Sequence, residues 1–303
     1  MSDLGLNGCA ACPWRGGANE NTTFTATHDV KVQGQPLPAG SYGLHFIPGQ
    51  EEWTVIFSKD AASWGSYWYD QKNDALRVKA KPVKAPYREW LTYEFTSREA
   101  DKATLALGWE ELQLPVTVSV DDVNELWAAN MERDLRGWAG FSWQNWQQAA
   151  AFCAQSKVRL PQALKWAERA VNDPYVGGQE NFQTLSTLSR LQALNGQAPE
   201  SAKTFEKAIN HPTAQPIQIH VAARQLLIDG KKDEAVRVFQ LNARRYPNQW
   251  PTHVGLMRAY AVSGDSKKAL AEARLALAQA PDEGNKKNLQ NLIKQLEEGK
   301  GIH

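Results

Sequence analysis

The chain has 303 residues, enough for about two domains of ~150 residues, each able to bury a core of its own. Its 34 lysines and arginines nearly balance 33 aspartates and glutamates, so no global field draws the protein to nucleic acid or to an anionic membrane. No stretch approaches the ~20 consecutive apolar residues that insertion into a membrane requires, and the start MSDLGLNG lacks the charged-then-apolar layout of a signal peptide, so the chain as written reads as soluble.

Near the N-terminus Cys9 and Cys12 form a lone C-x-x-C, while Cys153 sits in a helical pattern further on. Three cysteines cannot all pair within one chain, so a disulfide framework is excluded. Zinc would want a second ligand pair, and a thioredoxin-like site wants a strand before the pair and a helix after it. Neither is present, so no metal or cofactor is predicted, and Cys9 and Cys12 are expected to be dispensable.

The stretch WRGGANENTTF, residues 14–24, precedes the first recognisable strand. Gly16 and Gly17 permit a tight backbone. Glu20 could serve as a general base or a metal ligand, with Asn19 donating to an oxyanion and Arg15 holding an anionic substrate. Equally, Asn19 and Glu20 could satisfy backbone donors where the strand starts, with Arg15 or Arg77 as an ion partner.

From Thr22 to Val120 the hydrophobic pattern has period two, in FTATHDVKV, YGLHFI, EWTVIFS, ALRVKAK, EWLTYEF, ATLALGWEEL and LPVTVSV. These segments read as seven short strands of an antiparallel sandwich or a jelly-roll-like barrel. Alternation in YGLHFI puts Tyr42, Leu44 and Phe46 on one face and His45 on the other, which is expected to be the wetter side. His28 shares a strand face with Phe24, Val30 and Val32, which favours a buried, satisfied histidine over a catalytic one. WGSYWYDQKNDALR sets Trp64, Tyr67 and Tyr69 among Asp70, Asp74 and Arg77. Aromatic planes beside carboxylates build sugar grooves and ester pockets alike. This segment is expected to pack against residues 14–20, each complementing the other's polar groups. No G-x-S-x-G elbow, H-E-x-x-H helix or phosphate-cradling glycine loop is found, which disfavours a conventional serine hydrolase or zincin.

After Val120 the period becomes helical, with Asp121 and Asp122 suited to open the first helix. GWAGFSWQNW is expected to bridge the halves, with Trp138, Phe141, Trp143 and Trp146 burying the join. Gly196, Gly230 and Gly264 lie 34 residues apart, as do Pro247 and Pro281, and Ala208, Asn242 and Ala276. A 34-residue period of paired helices resembles the tetratricopeptide repeat. The match runs from about residue 143 to 296, with Ala235 and Phe239 in one unit and Tyr260 and Ala269 in the next. It is degenerate, with Leu226 where a tyrosine is usual and Asn242 where an alanine is usual. Arg190, Arg224 and Arg258 take one equivalent position in successive first helices. The resemblance implies that this position faces a bound peptide, so the row would suit a protein or acidic peptide partner. His220 would point into the same groove one turn earlier. Alternatively, the arginines pair with nearby acidic side chains or with the first domain.

The first half resembles a bacterial family known as domain of unknown function 2911. The resemblance rests on W-R-x-G-A-N-E-x-T at 14–22, L-P-A-G-x-Y-G-L at 37–44, E-W-T-V-I-F at 52–57, and the W-G, Y-D and D-A-L-R-V that follow. It implies a sandwich-like domain ahead of C-terminal helical repeats. Family members carry an export signal and a further strand before the Trp-Arg pair. Residues 1–13 here are thus expected to be non-native or disordered, and a periplasmic or secreted location is an implication of the family.

The prediction is an α+β chain, with an N-terminal antiparallel β-sandwich or jelly-roll-like domain over 1–120 and an α-helical tetratricopeptide-like solenoid over 121–303. Its expected role is that of a binding or scaffold protein, with a groove for a partner and a small-molecule or glycan ligand on the β-domain. The rival reading is a hydrolase of unfamiliar type for an ester, phosphoester or glycan. It would use Glu20, His28, His45 and Asp70 as acid-base groups, with Arg15, Asn19, Trp64, Tyr67, Tyr69 and Arg77 as substrate contacts.

Overall fold

The computed structural model describes residues 13–302, so Cys9 and Cys12 lie outside the described residues. The chain forms two compact units that divide between Trp127 and Ala128.

In the first unit the described strands are β1 Thr23–Ala26, β2 Val30–Val32, β3 Gln35–Leu37, β4 Gly40–Ile47, β5 Trp53–Ser58, β6 Asp74–Ala80, β7 Val83–Arg98 and β8 Lys102–Ser119. They make two four-stranded sheets, in the orders β1-β4-β5-β6 and β3-β2-β8-β7, and every pairing is antiparallel. Period-two side chains from both sheets meet in one core: Leu44, Phe46, Val55, Phe57 and Val78 from the first, and Val32, Leu37, Leu107, Leu114 and Val116 from the second. This is the expected sandwich.

Three features depart from the seven expected strands. FTATHDVKV is broken at His28, where the chain passes from the first sheet to the second, so His28 lies half-buried in a turn instead of sharing a strand face with Phe24. QPL pairs with β2 as an additional strand. ATLALGWEEL and LPVTVSV are one continuous strand, β8. Pro115 is tolerated there because it falls between the span paired with β7, which ends at Gln113, and the span paired with β2 at Val118 and Ser119. Within β8 the core-facing set changes phase, from Leu105 and Leu107 to Leu112, Leu114 and Val116. The register shift around Glu110, whose φ is +51°, makes that change without turning either half away from the core.

In the second unit, the helices after α1 (Val123–Asp134) come in pairs: α2 Trp143–Ser156 with α3 Leu160–Asn172, α4 Phe182–Leu194 with α5 Ala198–Asn210, α6 Pro216–Ile228 with α7 Lys232–Arg245, and α8 Trp250–Val262 with α9 Ser266–Ala278. A last helix, α10 (Glu283–Glu297), packs on α9. Helices α4, α6 and α8 begin at 182, 216 and 250, and their partners begin at 198, 232 and 266, so the 34-residue period of the sequence is the period of the helix pairs. Gly196, Gly230 and Gly264 each take φ near +80° just after a first helix, the left-handed conformation that lets the chain reverse into the second. Ala208, Asn242 and Ala276 are fully buried where the second helix of each pair packs closely. The larger Asn242 is accommodated because its Nδ2 donates to the Pro216 carbonyl at 2.8 Å. The aromatic cluster at 138–146 does not bury as a group. Trp146 joins the helical core against Trp166, whereas Trp138 and Phe141 meet at a tilt and stay exposed.

Candidate functional site

Residues 14–22 form a fastened turn. Trp14 bridges Phe46 of β4 through two backbone hydrogen bonds of 2.7 Å, and its ring packs on Trp53 and Trp109. Gly16 has φ +58°, and a side chain there would collide with the Phe46 ring; its carbonyl accepts from the Tyr93 hydroxyl at 2.7 Å. Asn21 donates from its backbone to Ser63 at 3.1 Å and from its side chain to the Asp60 carbonyl at 3.0 Å. The backbone fastening foreseen for Asn19 and Glu20 is thus carried by their neighbour Asn21. Asn19 sits at φ +66° and, like Glu20, is exposed.

This turn meets the 64–77 segment as expected. The Arg15 guanidinium packs at the bare backbone of Gly65 and over the Tyr67 ring, 5.7 Å from its centroid, and also donates to the Asn19 carbonyl. Trp64 and Tyr67 are about half exposed. Asp70 is spent locally, capping the 3-10 turn Gln71–Asn73 by accepting from the Lys72 backbone at 3.0 Å and pairing with the Lys72 ammonium at 2.6 Å. That partner holds its carboxyl below the usual range.

Further along, Tyr69 donates to the Asp74 carboxylate at 2.9 Å, and Arg77 donates to both Asp74 and the Tyr69 oxygen. Burial raises the Tyr69 pKa, while the Arg77 hydrogen bond opposes the rise and Asp74 adds to it. His45 belongs to the same cluster and corrects the expectation of a wetter side. It is 2% exposed, its Nδ1 lies 2.8 Å from the Ser66 hydroxyl, and its ring stands edge-on to Tyr69. The reason is that Ser66 and Tyr69, from the segment between β5 and β6, pack on His45, so this part of the face opposite the core is also covered.

The structure thus joins Arg15 to Tyr67, and His45, Tyr69 and Arg77 to Ser66 and Asp74. Among the described residues, no hydrogen bond or ion pair joins Glu20, His28 and Asp70 to one another, and no group of three His, Cys, Asp or Glu side chains is arranged to hold a metal. Ser66 was not singled out from the sequence. A serine in a turn gives no signal of a histidine 21 residues away.

In the helical unit, Arg190 of α4 and Arg224 of α6 are exposed, and Arg258 of α8 is buried at 5% exposure. Among the described residues none of the three pairs with a carboxylate, and the Arg258 Nε has no hydrogen-bond partner. Arg224 and Arg258 line a recess of about 170 Å³ together with Leu227 and Ile228. His220 is not an open groove residue: it is 6% exposed, its ring lies 5.5 Å from that of Phe239, and its Nδ1 faces the Cα of Gly255. Burial and the charges of Arg258 and Arg224 lower its pKa to about 4. Among the described residues no helix is long and apolar enough to cross a membrane.

Comparison with known proteins finds a family model that matches part of the chain. Residues 9–118 match the family model described as protein of unknown function (DUF2911). Among solved structures, one described as "Crystal structure of YrrB: a TPR protein with an unusual peptide-binding site" is 17% identical over 55% of this chain and 84% of its own, with a TM-score of 0.35. Another, MamA AMB-1, is 16% identical over 52% of this chain and 85% of its own, with a TM-score of 0.32. No curated protein matches the chain. Two lines of observation therefore meet: residues 9–118, which hold the sandwich, match the DUF2911 family, and helix pairs of tetratricopeptide period follow them.

Proposed function

We propose that the chain is a binding or scaffold protein whose helical repeats hold a protein or acidic peptide partner, while the β-domain presents a second, polar-aromatic ligand surface. The observation that supports this is the row of Arg190, Arg224 and Arg258, set at one step of α4, α6 and α8 and unpaired with any carboxylate among the described residues. A guanidinium grips a carboxylate through two parallel hydrogen bonds, so a row of them matches an extended acidic chain. On the β-domain, Trp64, Tyr67 and Trp68 are at least half exposed, and aromatic side chains of this kind are what sugars or small apolar ligands cover. A periplasmic or secreted location follows from the family resemblance, and fractionation of the source cells tests it.

The partner reading is tested by fluorescence anisotropy with a labelled glutamate-rich peptide and its glutamine counterpart. The acidic peptide should bind, weaken as salt rises, and weaken again with Arg190→Glu. Equal affinity for the two peptides, or no binding of either, would remove the reading.

The hydrolase reading has one observation in its favour, the hydrogen bond between His45 and Ser66. Both groups are at most 3% exposed, so a substrate reaches Ser66 only if residues 59–73 move aside. Hydrolysis of a p-nitrophenyl ester, phosphate or glycoside that disappears with Ser66→Ala or Glu20→Gln would favour the enzyme.

A further inference from the structure

Three large rings at the start of the helical unit stay in water: Trp138 is 88% exposed, Phe141 70% and Tyr175 87%. Rings scattered singly need no explanation, whereas contiguous ones mark a surface that something covers. These are contiguous, because the turn Trp138–Phe141 lies against the turn Pro174–Val176.

Beside Tyr175 is a recess of about 650 Å³, within the span of about 300–1,000 Å³ usual for small-molecule sites. Glu168 and Asn172 line it from one face of α3, and Leu188 and Gln192 from one face of α4, each pair a helical turn apart. Arg190, Arg224 and Arg258 take no part in it. Leu188 is buried and makes an apolar floor. Among the described residues the side chains of Glu168 and Asn172 make no hydrogen bond or ion pair. The Gln192 side-chain oxygen is buried without a partner, a cost that a donated hydrogen bond would remove. The last torsion of a glutamine is soft, so this oxygen can turn to a donor in the recess.

The charges decide what kind of ligand fits. Arg169 also lines the recess, but its Nε donates to Asp173 at 2.6 Å and its guanidinium lies over the Trp146 ring, 4.4 Å from the centroid. No cation is left for an anionic ligand, and Glu168 repels one. A cationic ligand would gain one exposed carboxylate, worth little in water, and would leave both amides unused. Hydroxyl groups use everything present, since they donate to Glu168 and both donate to and accept from the amides of Asn172 and Gln192. A pyranose adds an apolar C–H face that an aromatic ring covers.

We propose that the recess between α3 and α4, with the aromatic patch beside it, binds a neutral oligosaccharide, its hydroxyls held by Glu168, Asn172 and Gln192 and its ring faces lying on Tyr175 and the neighbouring Trp138. This site is separate from the arginine row and from the β-domain surface, and stands or falls without them.

The test is isothermal titration calorimetry on the full chain. The N-acetylglucosamine trimer, cellotriose and maltotriose are the neutral probes, with the glucosamine trimer as a cation and the galacturonate trimer as an anion. At least one neutral trimer should bind, with little dependence on salt, and the anion should not. Tyr175→Ala should weaken that binding about fivefold or more and leave the melting temperature unchanged, because the ring is in water. Gln192→Leu should weaken it about tenfold without lowering the melting temperature, since an apolar group of similar size replaces an unpartnered oxygen. Arg190→Glu and Trp68→Ala should leave it unchanged. Binding of no neutral trimer at millimolar concentration, or binding indifferent to Tyr175→Ala and Gln192→Leu, would overturn the site. Binding confined to the glucosamine trimer would overturn the saccharide reading in favour of a cationic ligand. Neutral binding lost with Trp68→Ala instead would move the saccharide to the β-domain, overturning this site and supporting that surface.

Discussion

At His220 two guanidiniums and a tight aromatic wall act on one imidazole. The ring stays neutral in the native protein down to a pH of about 4, whereas in the unfolded chain it takes up a proton near pH 6.5. Between those values the unfolded state binds the extra proton, so stability falls as the pH drops through that window, by about 3 kcal/mol in all. His220→Gln should remove this part of the slope. Thermal melts of both proteins at pH 7 and pH 4.5 check it: the wild type should lose more on acidification, and equal losses would show that His220 does not carry the effect. His45 illustrates what a strand pattern can and cannot say. Alternation in YGLHFI correctly opposes it to Tyr42, Leu44 and Phe46, but whether the opposite face is wet depends on where residues 59–73 come to rest. For the same reason Ser66 was invisible from sequence, and Asp70, which looked like an acid-base candidate, is occupied as a helix cap.

Helix pairs show the opposite balance, because their spacing is written in residues that act locally. Gly196, Gly230 and Gly264 have no atoms within 4 Å of the position a Cβ would take, so what selects glycine there is backbone conformation and not crowding. Gly230→Ala should therefore cost about 1 kcal/mol through left-handed strain alone, and Gly230→Asn less, since asparagine visits that region more readily. Chemical denaturation of the two variants would check the order; equal losses would point to a steric cause. Strand limits were less legible. The break at His28 and the continuity of β8 through Pro115 both depend on which strand lies alongside, and neither partner is encoded near the residue concerned. The helical period survived such effects because each first helix is capped and turned by its own neighbours, with Asn181, Gln215 and Gln249 opening α4, α6 and α8.

At the scale of the whole molecule, each unit carries its own core: the sandwich between its two sheets, and the repeats in clusters that run through the helix pairs. A fragment ending at residue 122 should thus give a β-type circular dichroism spectrum and a cooperative melt of its own, and a broad, non-cooperative transition would show that the sandwich needs the helices. The sequence by itself determined the class of each half, the change of period near residue 121, the 34-residue step and the register that aligns Arg190, Arg224 and Arg258, because these follow from spacing along the chain. Only the tertiary structure decided that Arg190 and Arg224 reach solvent while Arg258 is enclosed, that His220 is enclosed by Phe239 and Gly255, and that His45 meets Ser66. Burial and charge environment are set by side chains distant in sequence, and equivalent positions in a repeat need not share them.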